Sequence, residues 1–292
     1  MIDLHLHSTN SDGSESPEEL VARGRRAGLS AMALTDHDNM NGTGEFLAAC
    51  RTQGMTGIAG VEISAHVEEG HGSLHILGYG VNPDHPLVVE NLGRVLDSRA
   101  WRNEQILEKL NGLGLELDWS EVQACAGEDV VGRAHFAQAL IDRDYVSSVA
   151  EAFERYLAKG QPAYVERYRL YPEEGIRMIR EAGGVAVIAH PFSWELDEAR
   201  LESGVRTLKA MGLAGIEAVY SEYTPEQTVA LLRLAKRLEL LTTGGSDYHG
   251  LAKPDIALGK GFGALCVPDE FLPPLLHALG PGNPWVAVAG KA

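Results

Sequence analysis

The 292-residue sequence predicts an α/β protein of parallel β/α units interrupted by a helical insertion. Three observations predict it. Short apolar runs alternate with amphipathic helical patterns over residues 1–84 and 170–292, as parallel β/α units do. Over 85–169 the apolar residues recur at helical spacing instead, as in Leu92, Val95, Leu96, Ile106, Leu107 and Leu110. Finally, side chains able to hold a metal collect at the C-terminal ends of the apolar runs.

Ile2, Leu4 and Leu6 alternate as in a buried strand, which aims His5 and His7 to the same side. Asp12 follows in a polar loop. Ser16 caps a helix opened by Pro17, with Glu18 and Glu19 in its positive first turn, and Gly28 ends it. Residues 31–35 form a strand ending in Asp36, His37 and Asp38. A helix over 43–52 closes at Gly54, and a strand over 57–64 carries Glu62. A turn rich in Glu and Gly, 68–72, leads to a strand over 74–79 carrying His75. The insertion, entered at Asn82 and Pro83, contains one long helix, 87–113, and further helices over 133–140 and 148–157. The β/α rhythm resumes at Tyr171 with a helix capped near Pro172 and a strand over 184–189 ending at His190 and Pro191. A helix over 197–211, a strand over 216–219, a helix over 225–237 and a strand over 240–243 lead to Asp247 and His249. A last strand, 263–267, and a short helix from Glu270 complete the pattern; the tail after Gly280 reads as surface packing.

Composition narrows the function. Hydrophobic residues make up 45% and charged residues 23%, as in globular proteins. No apolar run approaches the roughly 20 residues that span a bilayer, so no membrane partner is expected. No basic start precedes an apolar core, so no signal peptide is expected. Cys50, Cys125 and Cys266 are odd in number and far apart, which fits buried thiols in a reducing cytoplasm. A net charge of −16 argues against charge-driven coating of nucleic acid and a stable nucleic-acid partner. A phosphorylated substrate stays open, because bound divalent cations reverse the field locally.

The strand ends carry His5, His7, Asp12, Asp36, His37, Glu62, His75, His190, Asp247 and His249. Singly, each has a plain reading: surface histidines, a polar turn, a Glu62–His75 ion pair between strands, a strand terminator. Together these readings do not explain why every predicted strand end is equipped, whereas a barrel builds its active site there. Imidazoles and carboxylates without cysteine suit Mn²⁺, Zn²⁺ or Fe²⁺. The set exceeds what one ion can take, and Glu62 could bridge two.

The insertion offers anion chemistry. Gly132, Arg133, Ala134 and His135 begin a helix, where free N–H groups favour an anion and Arg133 adds a phosphate donor. Ser98, Arg99, Arg102 and Asn103 share roughly one face of the long helix. They could hold a second phosphate or a nucleotide, or form a solvated face.

With His5-x-His7 and Asp12, then Thr35-Asp36-His37, His190 and Asp247-x-His249 in that order, joined by Glu62 and His75, the chain resembles the PHP (polymerase and histidinol phosphatase) family. The resemblance implies a distorted seven-stranded (β/α) barrel over 1–84 and 170–292, with the helical insertion 85–169 setting specificity. It implies three divalent ions, Mn²⁺ first and Fe²⁺ or Zn²⁺ as alternatives, held by His5, His7, Asp12, His37, Glu62, His75, His190, Asp247 and His249. Asp36 would orient a ligand. No polymerase follows, so the chain is similar to the stand-alone phosphoesterases, and specifically to those removing the 3′-phosphate from nucleoside 3′,5′-bisphosphates by metal-activated hydroxide. Arg133 would support the phosphoryl group and His135 the leaving hydroxyl, with Ser98, Arg99, Arg102 and Asn103 on the remainder of a small phosphorylated substrate. Alternatives are a 5′→3′ exoribonuclease on short RNA, a histidinol phosphate phosphatase and, from a different class, an amidohydrolase acting on an amide or amidine.

Overall fold

A computed structural model describes residues 1–68, 71–126 and 131–290; residues 69 and 70 of the expected Glu/Gly turn lie outside them. Two compact units divide the chain, one of residues 1–92 with 169–292 and one of 93–168.

The first unit is a nearly closed barrel. It opens with β1 (Ile2–Asp3), α1 (Pro17–Ala27), β2 (Ala31–Leu34), α2 (Thr43–Gln53), β3 (Thr56–Ala65) and β4 (Leu74–Tyr79). Sequence signals fix the helix ends. Ser16 and Glu19 form a reciprocal capping box on α1, and Gly28 ends it in the left-handed conformation at φ 78°.

The helix α3 (Pro86–Gly112) runs from the first unit into the second, which also holds α4 (Trp119–Ala126), α5 (Arg133–Asp142) and α6 (Val149–Ala152), continued by a π-helical turn over Phe153–Leu157. Ile106, Leu110, Phe136, Leu140 and Leu157 are fully buried in its own core. Each contributes about 1.5–3 kcal/mol by leaving water. The helix α4 was not expected from the sequence: its single apolar turn is too short to show periodicity.

The barrel unit resumes with α7 (Pro172–Glu181), β5 (Val185–Ala189), α8 (Glu198–Met211), β6 (Gly215–Tyr220), α9 (Pro225–Arg237), β7 (Leu241–Gly245), α10 (Leu272–Leu279) and β8 (Val286–Ala287). The sheet order is β1-β2-β3-β4-β5-β6-β7. Backbone bonds between the segments just past the first and last of these strands close it. Leu4 donates to Gly244 (3.1 Å), Asp247 to His5 (3.0 Å) and His7 to Tyr248 (3.0 Å). Gly245 permits this approach, since a Cβ there would lie 2.5 Å from the His5 nitrogen.

Four expectations change. Of the three cysteines only Cys50 is buried; Cys125 is half-buried and Cys266 exposed. The strand β4 runs antiparallel to both β3 and β5, not parallel. The link from β3 to β4 is too short for the crossover of about a dozen residues that a parallel pair requires. The expected last strand, 263–267, is reduced to one antiparallel bridge between Val267 and Ile2, because Gly259, Gly261 and Gly263 turn the chain at positive φ. The tail is more than surface packing: β8 pairs antiparallel with β3 and Ala287 is buried. Among the described residues no helix is long and apolar enough to cross a membrane.

Candidate metal centre

Glu62, fully buried on β3, is the centre of the arrangement. Its Oε2 lies 3.2 Å from His5 Nε2, 3.3 Å from His7 Nε2 and 3.1 Å from His37 Nδ1. Its Oε1 lies 2.8 Å from His75 Nδ1 and 2.9 Å from His190 Nε2. One carboxylate thus faces five imidazoles carried by segments from across the barrel. Asp247 Oδ1 extends the cluster, 3.1 Å from His7 Nε2. Asp12, at the more exposed edge, lies 3.3 Å from His249 Nε2, 3.6 Å from His7 Nδ1 and 3.8 Å from His37 Nε2. All nine expected ligands therefore come together.

Local structure explains the convergence. The two-residue spacing of His5 and His7 aims both rings inward, as alternation predicts. The loop after them folds back on itself: Gly13 packs against the His7 carbonyl, where a Cβ would come within 2.2 Å. Thr35 Oγ1 accepts from the Leu6 backbone (3.1 Å), locking the two strand ends together. His37 bridges to Glu62 along the backbone beyond β2. Asp38, His190 and Asp247 all adopt positive φ, at 50°, 23° and 55°. Such conformations cost about 1–3 kcal/mol each and cluster where side chains must be aimed.

The supporting groups were partly legible. Asp36 holds the loop between His7 and Asp12 rather than a candidate ligand itself: it accepts from Ser8 N–H (2.7 Å), Ser8 Oγ (2.7 Å) and Ser11 Oγ (2.6 Å). Glu217 was missed. It is fully buried, contacts His5 Nδ1 at 2.9 Å and accepts the His190 backbone N–H at 2.7 Å, so it sets the His5 ring and anchors the His190 backbone at once. Its signal was an acid inside the apolar strand around Ile216. Asp3 was missed too, although it shares the strand parity of His5 and His7. It accepts from Ser246 N–H and Oγ (2.8 and 2.6 Å) and Gly259 N–H (2.7 Å), fixing the Asp247 loop.

The electrostatics suit cations. Burial opposes a charge on His5, but Glu217, Glu62 and Asp247 outweigh it and hold its pKa well above the usual value. His7, likewise buried, is pushed up to about 9 by Asp247, Glu62 and Asp12. Burial pushes His37 down to about 3, against the pull of Glu62 and Asp12. Burial works against ionisation of Glu62 and Asp247, yet the surrounding imidazoles hold both carboxyls well below their usual range. Among the described residues, His5 Nε2, His7 Nε2, Asp12 Oδ1, His37 Nδ1 and Glu62 Oε2 are buried with no hydrogen-bond partner, although they crowd one another. Atoms that converge without hydrogen-bond directions are what cations require, and the donor set fits divalent ions. Three groups lie close enough to share an ion: His7, Asp12, His37 and His249; His5, His7, Glu62 and Asp247; and His37, Glu62 and His75.

The residues expected to hold the rest of the substrate all lie in the 93–168 unit. Arg133 Nη1 donates to the Leu157 carbonyl (3.1 Å), and its guanidinium lies over the rings of Phe153 and Tyr164. His135 Nδ1 accepts from Gly132 N–H (3.0 Å), which leaves the ring proton of the neutral form on Nε2. Ser98 Oγ accepts from Tyr168 N–H (2.7 Å). Arg102 Nη2 and Asn103 Nδ2 both reach the Val131 carbonyl, at 3.4 and 3.0 Å. Arg99 lies on the same helix.

A barrel that gathers histidines and carboxylates at its strand ends defines a metal-dependent hydrolase. Comparison with known proteins narrows it. The PHP domain pattern matches residues 3–167. The chain is 31% identical to a 3′,5′-nucleoside bisphosphate phosphatase of Chromobacterium violaceum, covering 91% of this chain and 94% of that one. It is 36% identical to a 5′-3′ exoribonuclease of Haemophilus influenzae, covering 85% and 89%. A solved metal-dependent phosphoesterase of Bifidobacterium adolescentis superposes with a TM-score of 0.79 at 29% identity, covering 95% and 96%. The chain belongs to the PHP family and is a metal-dependent phosphoesterase, a hydrolase of phosphate esters.

Proposed function

We propose that this enzyme is a cytoplasmic phosphomonoesterase that removes the 3′-phosphate from nucleoside 3′,5′-bisphosphates. The observation that carries the phosphatase reading is the crowding of His5 Nε2, His7 Nε2 and His37 Nδ1 on Glu62 Oε2, buried atoms that make no hydrogen bond among the described residues. Likeness to the Chromobacterium violaceum enzyme over nearly the whole of both chains supports the substrate.

His5, His7, Asp12, His37, Glu62, His75, His190, Asp247 and His249 would hold about three divalent ions, with Mn²⁺ the first choice. Ions bound there would activate water and neutralise charge on the phosphoryl oxygens. Glu62 would bridge, and Glu217 and Asp36 would keep the rings and the loop aimed. Arg133 would neutralise phosphate charge, and His135 would assist the leaving oxygen with a hydrogen bond from Nε2–H while water supplies its proton. Ser98, Arg99, Arg102 and Asn103 would hold the nucleoside and its second phosphate.

Likeness to the Haemophilus influenzae enzyme favours a second reading, 5′→3′ trimming of short RNA, which uses the same metal chemistry. The deciding experiment offers Mn²⁺-loaded protein adenosine 3′,5′-bisphosphate, AMP, histidinol phosphate and short 5′-phosphorylated RNA. Phosphate and AMP should appear from the bisphosphate fastest. Mononucleotides from RNA at a higher kcat/KM would establish the second reading instead. No phosphate from any ester would overturn the first.

A further inference from the structure

Asp247 is held from two sides. Its Oδ1 faces the imidazoles, 3.1 Å from His7 Nε2 and 3.5 Å from His5 Nε2. Its Oδ2 accepts from the Tyr220 hydroxyl at 2.8 Å and from Lys253 Nζ at 2.7 Å. The phenol and the ammonium together complete Oδ2, and of the two only the ammonium carries charge. The Lys253 side chain is 39% exposed and that of Asp247 only 5%, so Lys253 stands where the buried cluster meets solvent.

The lysine is placed by construction. Ser14 N–H donates to the His249 carbonyl (3.1 Å), Leu251 N–H to Ser14 Oγ (2.7 Å) and Lys253 N–H to the Gly250 carbonyl (3.2 Å). Gly250 makes this turn possible at φ 64°, and a Cβ there would strike Ser14 Oγ. The loop carrying Lys253 is thus stapled to the loop carrying Asp12.

Charge gives the lysine its use. Its ammonium lies against the Asp247 carboxylate at 2.7 Å, and the carboxylates of Glu62 and Asp12 belong to the same cluster. Divalent ions on those carboxylates would neutralise them, and a cation left beside them then needs an anion. An ammonium carries three N–H donors, of which Asp247 takes one. A phosphoryl oxygen approaching the cluster matches the donors that remain, and lysine serves phosphate as a point charge.

We infer that Lys253 is a phosphate-binding residue contributed by the barrel itself, meeting the phosphoryl group from the Asp247 side. The inference rests on the phosphoesterase reading. Its test compares Lys253→Gln and Lys253→Arg with wild type, as full-length Mn²⁺-loaded chains. Three quantities are measured: KM for adenosine 3′,5′-bisphosphate, Kd for inorganic phosphate by calorimetry, and metal per chain. Lys253→Gln should raise KM and the phosphate Kd by about tenfold or more at unchanged metal content. Lys253→Arg, which keeps the charge, should recover most of both.

An unchanged phosphate Kd in Lys253→Gln would overturn the inference. So would a loss of metal whose replenishment restores phosphate binding, since Lys253 would then only steady Asp247. Should wild type hydrolyse none of the esters, the proposed function fails, yet the phosphate Kd values still decide the role of Lys253.

Discussion

Polar side chains are buried in both units of this chain, and they meet different ends. In the helical unit they find protein partners: Arg102 and Asn103 hold the Val131 carbonyl, and the half-buried Ser98 takes the Tyr168 N–H. In the barrel, inward atoms of His5, His7, His37 and Glu62 are buried against one another with no hydrogen bond. Leaving a polar group so costs about 1–3 kcal/mol. A fold of ordinary stability tolerates several such groups in one place only when another species completes them. That difference separates a cluster built for cations from polar side chains that the protein itself satisfies.

Four changes would sharpen or break the contrast. The largest effect belongs to Glu62→Gln, which keeps the shape and removes the bridging charge. Phosphate release should fall by about a thousandfold or more, with fewer metal ions per chain by elemental analysis. Retained metal and activity would show that Glu62 is only a buried partner for histidines. Next is Phe136→Ala, which empties the helical core. It should cost about 3–5 kcal/mol in denaturant unfolding of that unit, with the metal count unchanged.

Glu217→Gln weakens the grip on His5 and His190 without touching the cluster centre. Metal affinity or kcat/KM should drop by about 10- to 100-fold. A variant indistinguishable from wild type would remove Glu217 from the account.

The smallest effect is one of pH. Without metal, the carboxylates around His5 and His7 hold both imidazoles above their usual pKa, so at neutral pH they carry protons that a cation must displace. Apparent metal affinity should therefore rise as pH climbs above neutral. Proton release, read by calorimetry in buffers of different ionisation heat, checks the sign.

Most of the ligand set was legible in the sequence because strand alternation and strand ends are local patterns. His5 and His7 point together because they are two apart, and His190 and Asp247 announce themselves by ending apolar runs. The metal reading then came from finding such groups at every predicted strand end, and the family resemblance from their order. Glu217 and Asp3 were not singled out, because their value depends on neighbours far along the chain: Glu217 matters only once β5 and β1 bring His190 and His5 to it. The same limit explains the fold differences. The β3–β4 link is visibly short, yet its consequence, an antiparallel pair, was overridden by the surrounding β/α rhythm. The two-residue β8 has no periodicity to read and exists only because β3 offers it an edge.

The measurement closest to the central claim is a titration of metal-free protein with Mn²⁺, following phosphate release from adenosine 3′,5′-bisphosphate against metal bound per chain. Activity should climb until roughly three equivalents are bound and then stop. Full activity at one equivalent, or metal uptake without phosphate release, would contradict it.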